Sequence, residues 1–299
     1  MSTEASGRSP RKRWLTARRI VQTGVLIAFA ALVVASGWGL FGLVQGGDDP
    51  VPTPSDMPLY GTLSSSHLLG LDLLDPYAVL QITAASKSFS FDWLLFALPI
   101  LVLYAAVRGR AFCGWVCPVN LLLEGVDWLR GKLGLKVAER TVPRHAKLGI
   151  ALAVIVASAV TSVPVFEAFS PISAVNKGIL LGSVAGLWVL VAIVVLELFW
   201  SHRVWCRALC PLGGFYEAVG RLGFLNVRID PKACIHCNAC KEACLADPEI
   251  LDPILLEQAM YVSAGDCMVC GKCVDSCPAK ALSIEPGLDH YRARPRRSR

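Results

Sequence analysis

The amino-acid sequence predicts a mainly α protein: a four-helix transmembrane bundle built as two tandem two-helix repeats, each ending in C-x3-C-P, followed by a small C-terminal α+β domain. Three observations predict it. Of the 299 residues, 54% are hydrophobic and 17% charged, and the mean hydropathy is +0.53, well to the apolar side of ordinary soluble domains. Four apolar runs nearly free of charge approach the roughly 20 residues a spanning helix needs. Twelve cysteines fall in patterned groups rather than singly.

Residues 1–19 form a basic N-terminus carrying Arg8, Arg11, Lys12, Arg13, Arg18 and Arg19. The first run is uncharged from Ile20 to Gly47; it is too long for the apolar part of a secretory signal, so it reads as an anchor. Spans are expected at about 20–45, 89–107, 147–166 and 178–200, inside a membrane domain of 20–220. Asp92 marks the edge of the second run and Pro99 a kink within it. Between the second and third runs stand Arg108, Arg110, Arg130, Lys132, Lys136, Arg140, Arg144 and Lys147, which places that loop and the N-terminus in the cytoplasm. The segment 45–88, with the linker-like "GGDDPVPTPSDMP", and the loop 164–177 carry one Lys each and are expected to face outward. Four spans return the chain to the cytoplasm, where thiols stay reduced and patterned cysteines read as metal ligands.

The tail carries "CIHCNACKEAC" and "CMVCGKCVDSCP", two copies of C-x2-C-x2-C-x3-C. In paired modules of this spacing the fourth cysteine of each run closes the other cluster. One [4Fe-4S] cluster would take Cys234, Cys237, Cys240 and Cys277, and the other Cys267, Cys270, Cys273 and Cys244. Zinc is the competing reading, and two copies of this spacing are far more specific than a lone C-x2-C. Residues 225–286 are thus expected to be a two-cluster ferredoxin-like domain. Leu245 stands where the second copy has Pro278. The basic tail 287–299 suits a solvated end or the anionic inner leaflet.

The other four cysteines sit in a repeat: "RAFCGWVCPVNLLLE" from Arg110 and "RVWCRALCPLGGFYE" from Arg203 share Arg, an aromatic residue, C-x3-C-P and a closing Glu. Upstream, "DPYAVLQ" at Asp75 and "SPISAVN" at Ser170 match weakly. Cysteines at i and i+4 share a helical face, so Cys113 with Cys117 and Cys206 with Cys210 could each aim two sulfurs at one object. Arg110, Arg203 and Arg207 nearby are expected to favour thiolates. A metal or redox site shared between the halves, two reversible disulfides, and plain packing remain the three uses.

The stretches "YGTLSSSHLLGLDLLDPYAVLQ", "FCGWVCPVN", "VPRHAK" and "WCRALCPLGG", followed by the paired cluster motifs, resemble the NapH family, the polytopic iron–sulfur subunits of periplasmic nitrate reductase systems. The resemblance covers nearly the whole chain. It implies a quinol dehydrogenase component of the bacterial inner membrane that passes electrons toward a partner ferredoxin-type subunit and periplasmic nitrate reductase, and is not itself the reductase. The alternative is a membrane-bound assembly or maturation factor that reduces a metal or a partner protein in anaerobic respiration. Quinol oxidation releases protons and needs a base in an apolar pocket. Glu197, the acid interrupting the last run, and the adjacent His202 are the catalytic candidates; Glu124 and Glu217 recur with the repeat, and His67 and Asp75 are weaker candidates on the outward side. The loop charges place the clusters inside, whereas the implied nitrate reductase lies outside. Nothing in the sequence points to nucleic acid.

Overall fold

A computed structural model of the chain describes residues 13–44, 59–61, 65–68, 71–134, 143, 146–175, 186–256, 259–262 and 265–287. The first residues of the basic N-terminus, the 46–58 linker, the start of the fourth apolar run and most of the basic tail lie outside the described residues.

The protein is mainly helical, and four helices correspond to the four apolar runs. They are α1 (Arg13–Val44), α3 (Phe91–Val107), α6 (Ala146–Thr161) and α8 (Leu187–Phe199). Among the described residues no helix is both long and apolar enough to cross a membrane. The helices α3, α6 and α8 have 17, 16 and 13 residues, about 20–26 Å at about 1.5 Å per residue. The third run, expected as one helix over 147–166, stops early for a local reason. Thr161 bonds back to the Ala157 carbonyl at 2.8 Å, Ser162 takes a left-handed φ of 56°, and Pro164 follows. Ser158 then accepts the Val165 N–H at 3.1 Å, starting a separate short helix, α7 (Val165–Phe169).

These helices are apolar on the outside. Val102, Val156, Val160 and Val191 are each more than half exposed, whereas Ala97, Ala151 and Ser158 face the interior. Exposed branched side chains with small residues inward invert the pattern of a water-soluble bundle.

Two segments expected on the outward side turn inward. A three-stranded antiparallel sheet, β1 (Leu59–Gly61), β2 (Ser65–Leu68) and β3 (Leu71–Leu74), pairs Tyr60 with His67 and His67 with Asp72. It delivers the chain to α2 (Pro76–Ser86), whose first turn is set by Pro76. The helix buries Tyr77, Ala78, Val79 and Gln81. Tyr77 donates to the Ala151 carbonyl at 3.0 Å, and Gln81 accepts the Phe166 N–H at 2.9 Å. This sheet went unread in the sequence, because its strands are short and rich in serine, glycine and leucine.

The C-terminal domain is α+β as expected. Its strands β4 (Leu225–Ile229) and β5 (Leu282–Pro286) pair antiparallel, with Val227 opposite Ile284. Each cysteine run ends in a short helix, α10 (Ala239–Glu242) or α11 (Lys272–Ser276). Buried cations dock this domain on the bundle. Arg108 Nη1 donates to the Leu225 carbonyl at 3.0 Å and to Asn226 Oδ1 at 2.6 Å. Arg110 bonds Asp266 Oδ1 at 2.9 Å; Lys147 also bonds Asp266, and lies 3.3 Å from Glu217 Oε2. All four of these side chains are nearly inaccessible to solvent. Two cations matched by two anions keep the buried group neutral, the condition under which such burial is tolerated.

Candidate functional site

The two C-x3-C-P segments share one backbone construction. In the first, Cys113 lies in α4 (Ala111–Trp115) and Cys117 is the N-cap of α5 (Pro118–Leu133). In the second, Cys206 lies in a π-helical turn, Trp205–Leu209, and Cys210 is the N-cap of α9 (Pro211–Val219). A residue before proline is pushed out of the helical region, and both caps are extended, Cys117 at ψ 121° and Cys210 at ψ 112°. The same i→i+5 bond closes each turn: Cys117 N–H to Phe112 O at 3.0 Å, and Cys210 N–H to Trp205 O at 2.8 Å. The paired cysteines therefore do not share the face of one continuous helix, as their spacing suggested; each pair straddles a break that its proline enforces.

The breaks bring the two pairs together. Cys113, Cys117, Cys206 and Cys210 line a single cavity whose other walls include Phe112, Phe166, Pro171, Ile172 and Leu212, with Arg110 at its edge. Burial pushes all four thiols above their ordinary value, Cys206 and Cys210 to about 12, although Arg110 pulls Cys113 and Cys210 the other way and Arg203 pulls Cys206. The expectation of free thiolates is thus corrected, because removal from water outweighs the neighbouring charge. Arg207 does not serve these pairs. Its Nε donates to the Ala246 carbonyl at 3.0 Å, and its charge acts on Cys244.

A second cavity shares Phe112, Phe166, Ile172 and Leu212 with the first. Its polar wall is Asp75, Tyr104, Tyr216, Glu167 and Ser170, and its apolar wall includes Val25, Phe29 and Ile100. Asp75 caps α2, and Tyr216 Oη donates to its Oδ1 at 3.2 Å. Burial raises the Asp75 carboxyl to about 6, against the pull of the Tyr216 hydroxyl. Asp75 comes from a segment expected outward and Tyr216 directly follows a cysteine pair expected inward, so a bilayer thickness does not separate them. Asp75 and Ser170, which begin the two matching upstream segments, both line this cavity.

The ferredoxin-like motifs form the third and fourth groups. Cys234, Cys237, Cys240 and Cys277 line one cavity between apolar walls that include Ile229, Ile235, Leu255 and Leu282. Cys244 lies against Cys270 and Cys267, which with burial push its thiol to about 12. Cys273 is raised by burial and then by Cys270, Cys267 and Cys244. The structure thus gathers the first set around one cavity and places the second within electrostatic reach of one another. The loops have matching backbones, since His236 and Val269 both take left-handed φ, as do Asn238 and Gly271. Four thiols at each set are the donor chemistry of a [4Fe-4S] cluster.

Glu197 is buried and accepts the Trp205 N–H at 3.0 Å, capping the π-helical turn. His202 Nε2 lies 3.0 Å from Asp127 Oδ1, and Arg203 holds the other oxygen of the same carboxylate at 2.8 Å. Neither Glu197 nor His202 lines the Asp75 cavity. Glu124 pairs with Arg18, Glu217 with Lys147, and His67 with Asp72. Tyr104, Tyr216 and Glu167 were not singled out in the sequence. The weak match of "DPYAVLQ" with "SPISAVN" was a signal that could have pointed there, since Asp75 and Ser170 begin the two segments.

A 4Fe-4S binding domain model matches residues 89–136 and again 183–229, and a second 4Fe-4S binding domain model matches 260–283. The chain is 34% identical over 258 residues to the methylamine utilization ferredoxin-type protein MauN of Paracoccus denitrificans, covering 85% of this chain and 84% of that one. It is 32% identical over 276 residues to the ferredoxin-type protein NapH of Escherichia coli, covering 91% and 89%. A putative electron transport protein, YccM of Escherichia coli, is 27% identical over 60% of this chain and 52% of its own. No solved structure matches the chain.

Proposed function

Because the chain belongs to the ferredoxin-type family of NapH and MauN, and is thereby a 4Fe-4S electron-transfer protein, we propose that it is a multi-pass inner-membrane subunit that oxidises quinol at the Asp75 cavity. The observation that carries this reading is the contact between compartments. A half-apolar cavity holding a buried acid shares a wall with the four-cysteine cavity. The cysteine segment in turn touches the ferredoxin-like domain, where Gly114 packs on the Met268 carbonyl and the Cys270 side chain.

Cys234, Cys237, Cys240 and Cys277 would hold one [4Fe-4S] cluster, and Cys267, Cys270, Cys273 and Cys244 the other; these groups supply one-electron acceptors. The chain's own residues handle the rest. Quinol loses two protons and two electrons. Asp75, with its carboxylate oriented by Tyr216, takes the first proton, and Glu167 on the same wall is positioned for the second. The apolar wall keeps water from the head group. Support for the membrane placement comes from the exposed valines of α3, α6 and α8, with the segments at 71–86 and 165–175 filling the bundle as buried re-entrant pieces. Support for cytoplasmic termini comes from the basic segments and from the start of α1, where the Leu15 N–H donates to Asp275 of the second cluster loop at 2.9 Å.

Anaerobic protein mixed with a reduced quinol analogue tests the reading. Clusters bleach rapidly if it holds. No reduction with full cluster content sinks it and favours a maturation factor. For partners, the likeness to NapH supports a ferredoxin-type subunit and periplasmic nitrate reductase components. The likeness to MauN supports a second reading, the same module serving methylamine utilization. Affinity capture of the intact chain from nitrate-grown and methylamine-grown cells separates the two by which redox proteins are retained.

A further inference from the structure

We infer that Cys113, Cys117, Cys206 and Cys210 together bind a third [4Fe-4S] cluster, bridging the two repeats between the Asp75 cavity and the ferredoxin-like domain. This deepens the reading above and rests on it for the neighbouring pair of clusters.

Convergence is the first reason. Two cysteine pairs, separated by about 90 residues of chain, meet on one cavity with apolar walls. Each repeat uses a proline-forced break and an i→i+5 bond to make that meeting possible. A helix carrying two cysteines for packing alone needs neither device.

Charge is the second reason. A cluster ligated by four thiolates is anionic, and the groups nearest the thiols are buried cations, each also paired with a carboxylate. The buried Arg110 guanidinium donates to the Cys206 carbonyl at 2.7 Å and hydrogen-bonds Cys113. Lys147 and Arg203 also act on these thiols. The second cysteine of each pair caps a helix, and the Gly213 N–H donates to Cys210 Sγ at 3.4 Å, a contact that favours sulfur carrying negative charge.

Likeness is the third. The two matches to a 4Fe-4S binding domain at 89–136 and 183–229 enclose these two cysteine pairs and none of Cys234 to Cys277.

Position is the fourth. A β-carbon placed on Gly114, next to Cys113, would stand 3.6 Å from the Cys270 Cβ. The segment that carries Cys113 therefore packs directly on the loop that carries Cys270.

The test is iron and acid-labile sulfide content of the full chain purified anaerobically, with Mössbauer and EPR spectra of the same samples. The expected wild-type content is about twelve iron and about twelve sulfide per chain, four for each cluster. The variant Cys113→Ser/Cys206→Ser should fall to about eight, with the ferredoxin-pair spectra unchanged. Wild type with about eight iron overturns the inference, and needs no variant to fold. So does a variant that keeps about twelve, or one zinc per wild-type chain that the variant loses. A wild-type content well below eight sinks the paired-cluster reading itself. Full iron content with no response to reduced quinol sinks only the quinol reading.

Discussion

At the scale of single residues, the acid that matters is the one whose neighbours leave it a task. Glu197 looked the better base in the sequence because it interrupts an apolar run, but its carboxylate is already committed to the Trp205 N–H. Asp75 was the weaker candidate, expected on the outward side, and the inward turn of its segment carries it to a cavity with Tyr216. Asp75→Asn should therefore slow quinol-dependent cluster reduction by about 10²–10⁴-fold, the usual contribution of a positioned base, with iron content unchanged. A loss of less than about threefold in stopped-flow traces removes Asp75 from the chemistry. Since burial lifts this carboxyl to about 6, the basic form is populated above that pH. The wild-type rate should fall as pH drops through about 6, and the Asn variant should lose that limb. Gly114 tests contact rather than chemistry: a methyl there would lie 2.9 Å from the Met268 carbonyl oxygen. Gly114→Ala should destabilise the docked domain by about 1–3 kcal/mol through overpacking, seen as earlier loss of cluster absorbance in a thermal ramp. The grouping of Cys234, Cys237, Cys240 and Cys277 about one cavity was legible from their spacing. Asp75 was legible only as a weaker candidate, because the tyrosines around it lie 29 and 141 positions away.

At the scale of elements, the repeat was legible in the sequence but its geometry was not. The motif announced two equivalent units; only the pre-proline constraint acting at Cys117 and Cys210 decides that each is a broken helix. The ends of α6 were misjudged for a similar reason, since Ser158, Thr161 and Pro164 act locally against an apolar pattern that continues past them. Arg110, Lys147, Asp266 and Glu217 join the bundle to the C-terminal domain, and their charges balance as a set. Removing one cation leaves buried anions in excess. Lys147→Met should cost about 3–5 kcal/mol and lower the thermal midpoint of the detergent-solubilised protein by several degrees. Arg228→Ala breaks a solvent-exposed pair with Glu285 and should leave the midpoint where it is. Equal midpoints for the two variants would show that the buried group does not hold the domains together.

At the scale of the whole molecule, compartments that the loop charges kept apart are packed against one another. The Asp75 segment, the paired cysteines and the ferredoxin-like domain follow in sequence through a single interior, so an electron entering at one end need not leave protein to reach the other. Fusion reporters at the two termini should both report the cytoplasm; opposite sides would require the domain to be detached from the bundle, against the contacts of Arg108 and Arg110. The loop charges speak only to which side of a bilayer each segment would face. The inward turns were not legible, because burial of a loop depends on which polar groups it meets, and those lie far off in sequence.

One contact sets the order of manufacture. Trp14 sits so close over Gly271 that even a β-carbon there would strike its ring, and the neighbouring Leu15 amide binds Asp275. The start of α1 thus covers a loop that lies about 260 residues further along the chain. The cover over the loop that carries Cys270 and Cys273 can therefore form only after that loop has been synthesised.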